Sequence, residues 1–294
     1  MASDALVVKH TSEFGEWEAV SRDPHPALAP YVTVMSGWVE STTFARRREV
    51  PFVGCVLIIN INNRLNISDP LQPETLQPYH AFFAGLCNRY VVTESTGEAG
   101  GIQVNLTPSG ARMLLGIPAH ELANRVVHLE EVLGPEARTL IARLEDTPDW
   151  ADRFDLVEDV IMRRLVTAEC ADPGVTWALE RLGHSHGLAS IRELGSALGW
   201  TPKTLIDRFR YEVGLAPKQV ARMMRFSRAV ELLSLPEPRG LRDIAVECGY
   251  YDQAHLNREF REFAGSTPLE FQSRLVPESG GVLDAEPGGG VNRP

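Results

Sequence analysis

Cysteine is scarce in this sequence: four residues in 294, Cys55, Cys87, Cys170 and Cys248, with no C-x-x-C pair. Scattered thiols exclude a disulfide-stapled miniprotein and fit reduced cysteines in a cytoplasmic protein. Long apolar runs are missing too. The longest, Phe52–Ile59, has eight residues, far below the roughly 20 that a membrane helix needs. No apolar stretch follows a basic start, so no secretory leader is expected. Also absent are a phosphate-binding loop, an H-E-x-x-H pair and a G-x-S-x-G elbow, the readiest signatures of nucleotide, zinc-protease and serine-hydrolase chemistry. Positive charge is in deficit: 29 Lys+Arg stand against 39 Asp+Glu, a net of −10. Taken alone, that balance disfavours a nucleic-acid partner.

The deficit is uneven. Residues 1–183 hold 15 basic and 25 acidic side chains, residues 184–276 hold 13 and 11, and the last 18 residues hold one and three. An acidic front and a faintly basic back suggest two modules with different partners. With 44% hydrophobic and 23% charged residues, the chain is ordinary globular material rather than a disordered one, and its length suits two domains.

Residues 1–29 are mixed, with a Pro-rich stretch around Pro24, Pro26 and Pro30 that reads as extended or looping. Tyr31–Val39, Phe52–Asn62, Ala81–Thr93 and Gly101–Leu106 are strand-like, rich in Val, Ile, Phe and Tyr, which predicts a small barrel or sandwich. After Pro108 the period changes. Ser109–Leu115 and Pro135–Leu144 read as short helices, and Trp150–Ala168 as a longer one with Phe154, Val157, Ile161 and Leu165 on one face. That stripe suits core packing or pairing with a twin helix in a dimer. Residues 171–187, with Asp172, Pro173, Gly174, Gly183 and Gly187, read as a linker. Residues 276–294, with Gly280, Gly281 and Gly288–Gly290, read as a disordered tail.

The strongest signal is internal. Residues 191–217 (IRELGSALGWTPKTLIDRFRYEVGLAP) resemble residues 241–268 (LRDIAVECGYYDQAHLNREFREFAGSTP). Ile191, Leu194, Leu198, Gly199 and Trp200 match Leu241, Ile244, Cys248, Gly249 and Tyr250. After one inserted residue, Leu205, Phe209, Gly214 and Pro217 match Leu256, Phe260, Gly265 and Pro268. Each copy predicts a short helix, a turn at a glycine that needs positive φ, and a second helix capped by Thr201 or Asp252. Two helices joined by a glycine turn, the second one amphipathic, form the helix-turn-helix layout. Lys218–Leu235, opened by Pro217, predicts a rod about 27 Å long. Major grooves on one face of a duplex recur about every 34 Å, so the rod suits two reading helices in successive grooves. Arg222, Arg225 and Arg228 on the rod read as phosphate contacts or a solvated face.

Here residues 188–275 resemble the DNA-binding domain of the AraC family of bacterial transcription regulators. Gly249, Tyr250, Asp252, Gln253, Leu256, Arg258, Phe260, Gly265 and Pro268 stand in family-like positions. The resemblance implies a seven-helix, bipartite domain that binds double-stranded DNA, in a chain that acts as a cytoplasmic homodimer and regulates transcription. It also admits RNA polymerase and a small-molecule effector as partners. Base-reading positions carried over from the family fall on Lys203, Thr204 and Asp207 in the first copy, with Arg208 beside them. In the second copy they fall on Gln253, Ala254, His255 and Arg258. Gln suits adenine and Arg suits guanine. Asp207 departs from the pattern, since its equivalent is Arg258. It could accept from cytosine N4 or pair with Lys203 four residues earlier.

The family plan also implies an N-terminal sensing and dimerising domain over residues 1–170, β-rich and cupin-like with helices at its end. The expected class is therefore α+β: that domain, a linker, and an all-α domain of two helix-turn-helix motifs joined by a linker helix. The histidines of the front half lack metal-ligand spacing, and His184 and His186 form an H-x-H pair in the linker, so neither metal nor cofactor is expected. Trp38, Phe52, Phe82, Phe83 and Tyr90 are candidate pocket or core residues, and Arg46–Arg48 a basic run in a loop. The alternative is a DNA alkylation-repair methyltransferase that carries the same DNA-binding domain. Its chemistry needs four clustered cysteines around zinc, and the front half offers only Cys55, Cys87 and Cys170, far apart. No enzyme activity is expected.

Overall fold

A computed structural model describes residues 6–12, 15–42, 46–61, 63–69, 72–95, 97–235, 237, 239–276 and 281–284. The front half is built from strands β1 (Leu6–Ser12), β2 (Gly15–Ser21), β3 (Val32–Thr42), β4 (Arg46–Glu49), β5 (Cys55–Asn60), β6 (Leu65–Asp69), β7 (Gln72–Tyr79), β8 (Ala81–Ala84), β9 (Val91–Glu94), β10 (Glu98–Leu106) and β11 (Val126–His128). Its helices are α1 (Pro108–Leu115), α2 (Ala119–Leu122), α3 (Leu129–Leu133), α4 (Pro135–Asp146) and α5 (Trp150–Val166). The back half holds α6 (Pro173–His184), α7 (Ile191–Ala197), α8 (Pro202–Val213), α9 (Pro217–Leu233), α10 (Leu241–Glu247), α11 (Gln253–Ala264) and α12 (Pro268–Ser273). Two short strands follow, β12 (Leu275–Val276) and β13 (Gly281–Leu283).

The strands form two antiparallel sheets, ordered β1-β2-β3-β10-β5-β8-β11 and β12-β13-β4-β9-β6-β7. Alternation along β5 and β8 explains the layering. Leu57, Ile59 and Phe83 enter the main core beneath the helices, while Ile58 and Phe82 turn to the second sheet and meet Ile67 and Tyr79. The long helix α5 lies against β3, where a side chain at Gly37 would collide with the Trp150 ring. Of its stripe, Phe154, Val157 and Ile161 are fully buried and Leu165 is half-buried against them, so that face is core. Arg22, 5% exposed, anchors the other flank through Asp155 at 2.6 Å and Glu158 at 2.9 Å. Among the described residues neither sheet closes on itself, so the closure that would make the domain cupin-like is not among these pairings.

Strands β1 and β2 pair from Leu6 with Ser21 to Ser12 with Gly15, and the proline-rich stretch after them runs as loop and turn, as expected. Three local expectations are revised. Residues 171–187 hold α6 rather than a linker. Asp172 caps it by accepting from the Gly174 and Val175 amides, Pro173 opens it, and Val175, Ala178 and Leu182 are buried. The proline read as a break is a first helical residue, where its missing N–H costs nothing. Residues 276–294 are not wholly a tail, because β13 pairs with both β12 and β4. Residues 277–280 and 285–294 lie outside the described residues. Finally, Arg46–Arg48 lie in β4, not in a loop. Of the aromatic candidates, Phe82 and Phe83 are core.

Candidate nucleic-acid interface

Each repeat copy folds as its sequence dictates. Gly199 (φ 67°) and Gly249 (φ 71°) close α7 and α10 in the left-handed conformation that a β-carbon disfavours. Thr201 then caps α8 by accepting from the Thr204 amide at 3.1 Å, and Asp252 caps α11 by accepting from the His255 amide at 2.7 Å. Leu205 and Phe209 on α8, and Leu256 and Phe260 on α11, are buried. The second unit is organised around Phe226 of α9, whose ring lies 4.9 Å from Phe260 and 5.0 Å from Phe263. With those faces committed to the core, the remaining face of each second helix turns outward.

Lys203, Asp207 and Arg208 are exposed on α8, with Thr204 half-buried. Gln253, Ala254 and Arg258 are exposed on α11. Among the described residues no ion pair engages Lys203, Asp207 or Arg258. Three of the eight are otherwise occupied. Thr204 Oγ1 shares a hydrogen bond with Thr201 Oγ1 at 2.8 Å. Arg208 pairs with Asp172 at 2.5 Å and lies over the Trp200 ring at 4.6 Å, which ties α8 to the start of α6. His255 is half-buried: Nδ1 accepts from the Tyr251 amide at 3.4 Å, Nε2 lies 3.7 Å from Glu259, and its ring meets Tyr250 edge-on.

The rod arginines are also occupied, which revises their reading as phosphate contacts or a solvated face. Arg222 bonds Glu259 at 2.7 Å and Glu262 at 2.5 Å, both on α11. Arg228 bonds Glu231 and, on α10, Glu247. Arg225 donates to the Gly187 carbonyl and lies over the Tyr250 ring. These three are struts that fix α9 to its neighbours. Apart from Glu231, three residues from Arg228, their partners are 19 to 40 residues away in sequence, too far for local patterning to reveal.

Sequence reasoning also missed how the two halves meet. Arg112 of α1, 4% exposed, donates from Nε to Glu212 of α8 at 2.7 Å and from Nη2 to the Glu169 and Cys170 carbonyls. Burial raises the Glu212 carboxyl above the usual carboxylate range, with Arg112 opposing that shift. On the other unit Arg48 of β4 donates to the Ala264 and Gly265 carbonyls at 3.2 and 3.1 Å, and Asp284 accepts from its Nε at 2.7 Å. Tyr90 packs so closely on Gly265 that a β-carbon there would sit 2.5 Å from the ring. Tyr90 is thus a contact between the halves, not a pocket residue.

Cys55, which opens β5, and Cys87 lie close enough for their thiols to interact, while Cys248 ends α10 and Cys170 is exposed between α5 and α6. Burial pushes the Cys55 thiol up to about 12, and those of Cys87 and Cys248 up to about 11. Among the described residues no three potential metal ligands converge, and no helix is long and apolar enough to cross a membrane.

Fold and site together define a double helix-turn-helix module attached to a β-rich accessory domain. Comparison with known proteins follows the same division. Residues 194–274 match the family model of a helix-turn-helix domain, and residues 21–128 match a domain of unknown function (DUF6597). The HTH-type transcriptional regulator GadX of Escherichia coli O127:H6 is 29% identical over 135 residues, 46% of this chain and 44% of that one. The HTH-type transcriptional activator RhaR of Pectobacterium carotovorum is 23% identical over 150 residues, 51% of this chain and 47% of that one. Among solved structures, ToxT from Vibrio cholerae aligns with a TM-score of 0.47 at 11% identity, covering 81% of this chain and 97% of that one. The chain spans less than half the length of the curated relatives it matches. It is AraC-family-like, with a C-terminal helix-turn-helix domain and an N-terminal accessory domain.

Proposed function

We propose that the chain is a sequence-specific DNA-binding regulator of transcription rather than an enzyme. One observation carries this reading: two copies of one motif present equivalent polar positions outward, from helices whose apolar faces are fully committed. In it, Lys203, Thr204 and Asp207 read one half-site, while Gln253, Ala254 and Arg258 read the other. Arg258 takes guanine O6 and N7, and Gln253 takes adenine. Asp207 faces the DNA and accepts from a cytosine amino group; its exposure and lack of an ion pair among the described residues favour this over a partnership with Lys203. Arg208 and His255 support the reading helices from within, given their internal partners. Residues 188–275, extended by α6, form the DNA-binding domain. Residues 1–170 carry dimer contacts and respond to a small molecule or a partner such as RNA polymerase, in the cytoplasm.

The test is selection of duplexes from a random-sequence library by the full chain, followed by titration of the enriched duplex and a scrambled one at fixed salt. A tighter complex with the enriched duplex is expected. Equal affinity for both would refute sequence-specific binding.

A further inference from the structure

Resting on that reading, we infer that Arg112 and Arg48 are positioning residues. From the N-terminal domain they hold the two reading helices in one relative geometry, and so set the spacing of the DNA half-sites. The repeat itself exposes the pattern. Gly214 and Gly265 are equivalent residues, each ending a reading helix, and each abuts the same neighbouring domain. A β-carbon on Gly214 would lie 3.0 Å from the Ala119 carbonyl of α2, and one on Gly265 would strike Tyr90. Beside each junction stands an arginine of that domain. Arg112 grips Glu212 in the last turn of α8, and Arg48 caps the terminal carbonyls of α11. A guanidinium at a helix C-terminus meets the negative end of the helix dipole and its unpaired carbonyls.

The two grips differ in kind. The one on α8 is a dry ion pair, with both partners at most 5% exposed. The one on α11 is partly wet and depends on a third element, since Asp284 next to β13 orients Arg48 and also pairs with Arg46 at 3.0 Å. Both act at the C-terminal ends of the helices, so the N-terminal halves with Lys203 and Gln253 stay outside the contact. Within the DNA-binding domain α9 already joins the two units. The accessory domain adds a second, separate bridge between them. Two bridges allow far less change in the angle between α8 and α11 than one. On a duplex, each added base pair shifts the second half-site by about 3.4 Å and rotates it by about 35°.

The experiment uses the full chain and the duplex it enriches from a random-sequence library, together with versions carrying one inserted base pair or half a helical turn between the half-sites. Wild type should lose at least about tenfold in affinity on the single insertion, on the scale of a poorly matched site. Two variants attack the two grips separately: Arg48→Ala, which removes the guanidinium from the Ala264 and Gly265 carbonyls while Asp284 keeps Arg46, and Arg112→Met with Glu212→Gln, which leaves no buried charge unpaired. Each should lose less than about threefold on the same insertion while binding a single half-site as wild type does. A merely structural role would weaken all duplexes alike and leave that ratio unmoved, which would overturn the inference. So would uniformly tighter binding by both variants, since the contacts would then restrain the domain from DNA. Failure of wild type to enrich any duplex would instead remove the DNA-reading function on which the inference rests.

Discussion

Removing Arg112 alone should be among the most damaging single changes in the molecule. Arg112→Ala leaves the Glu212 carboxylate 5% exposed and without its 2.7 Å partner. Breaking a buried pair from one side costs about 3–5 kcal/mol, because the remaining charge is neither hydrated nor matched. The Glu169 and Cys170 carbonyls also lose a donor, but they are reachable by water and add little. The loss should depend on pH. Burial already raises the Glu212 carboxyl in the folded chain, so the folded state keeps its proton to higher pH than the unfolded state. Stability then falls as pH rises through the window between the unfolded and folded values. Without Arg112 the folded value rises further and the window widens. Urea unfolding followed by tryptophan fluorescence should therefore show the full deficit near pH 7.5 and a clearly smaller one near pH 5. Adding Glu212→Gln should recover all but about 1–2 kcal/mol. A deficit below about 1 kcal/mol near pH 7.5, or one equal at both pH values, would refute the account of a dry ion pair between the domains.

Three further outcomes follow from the interface. Arg258→Ala should cost about 1–3 kcal/mol on the enriched duplex and almost nothing on a scrambled one; equal losses in binding titrations would make Arg258 a phosphate contact. Asp207→Ala should tighten binding to unrelated sequences by removing a charge that repels phosphates, and relax preference only under the first unit; a uniform loss would place Asp207 in a support role. In the native chain near pH 8, iodoacetamide should modify Cys170 first, since it is exposed. Thiols raised to about 11 or 12 hold only about one thiolate in a thousand or fewer at that pH; mass spectrometry showing equal labelling of Cys248 would contradict its burial.

The reading units were legible because their instructions are local. Gly199 and Gly249 announce a turn, Thr201 and Asp252 a cap, and Leu205 with Phe209 a buried face, all within a dozen residues. The stripe on α5 was legible for the same reason. Helix α6 was missed although Asp172-Pro173 is a helix start, because glycines on either side gave the segment the composition of a linker. Strand β4, Arg-Arg-Arg-Glu, carries no apolar alternation. It is a strand because β9 pairs along its whole length, while Glu40, seven residues away, and Asp284, far along the chain, receive its arginines. The contact of Arg112 with Glu212 spans 100 residues, and nothing in either neighbourhood announces the other. Exposed arginines on α9 and arginine struts look alike in one dimension.

The pairing of β13 with β4 has a consequence for the order of biosynthesis. In the sheet order, β4 is an outer strand until β13 joins it, and the partner of Arg48 is Val282, more than 230 residues later. At about 5–20 residues per second, a growing chain exposes that edge for roughly 10–50 s. An unpaired edge invites pairing with another nascent chain, and charge along the edge is a common protection. Arg46 and Arg48 on β4, with Arg47 between them already paired to Glu40 of β3, would repel a second copy of the same strand through that interval. The late carboxylate of Asp284 then neutralises both as the strand closes. The basic run thus serves first as a guard and afterwards as the seat of the last strand to arrive.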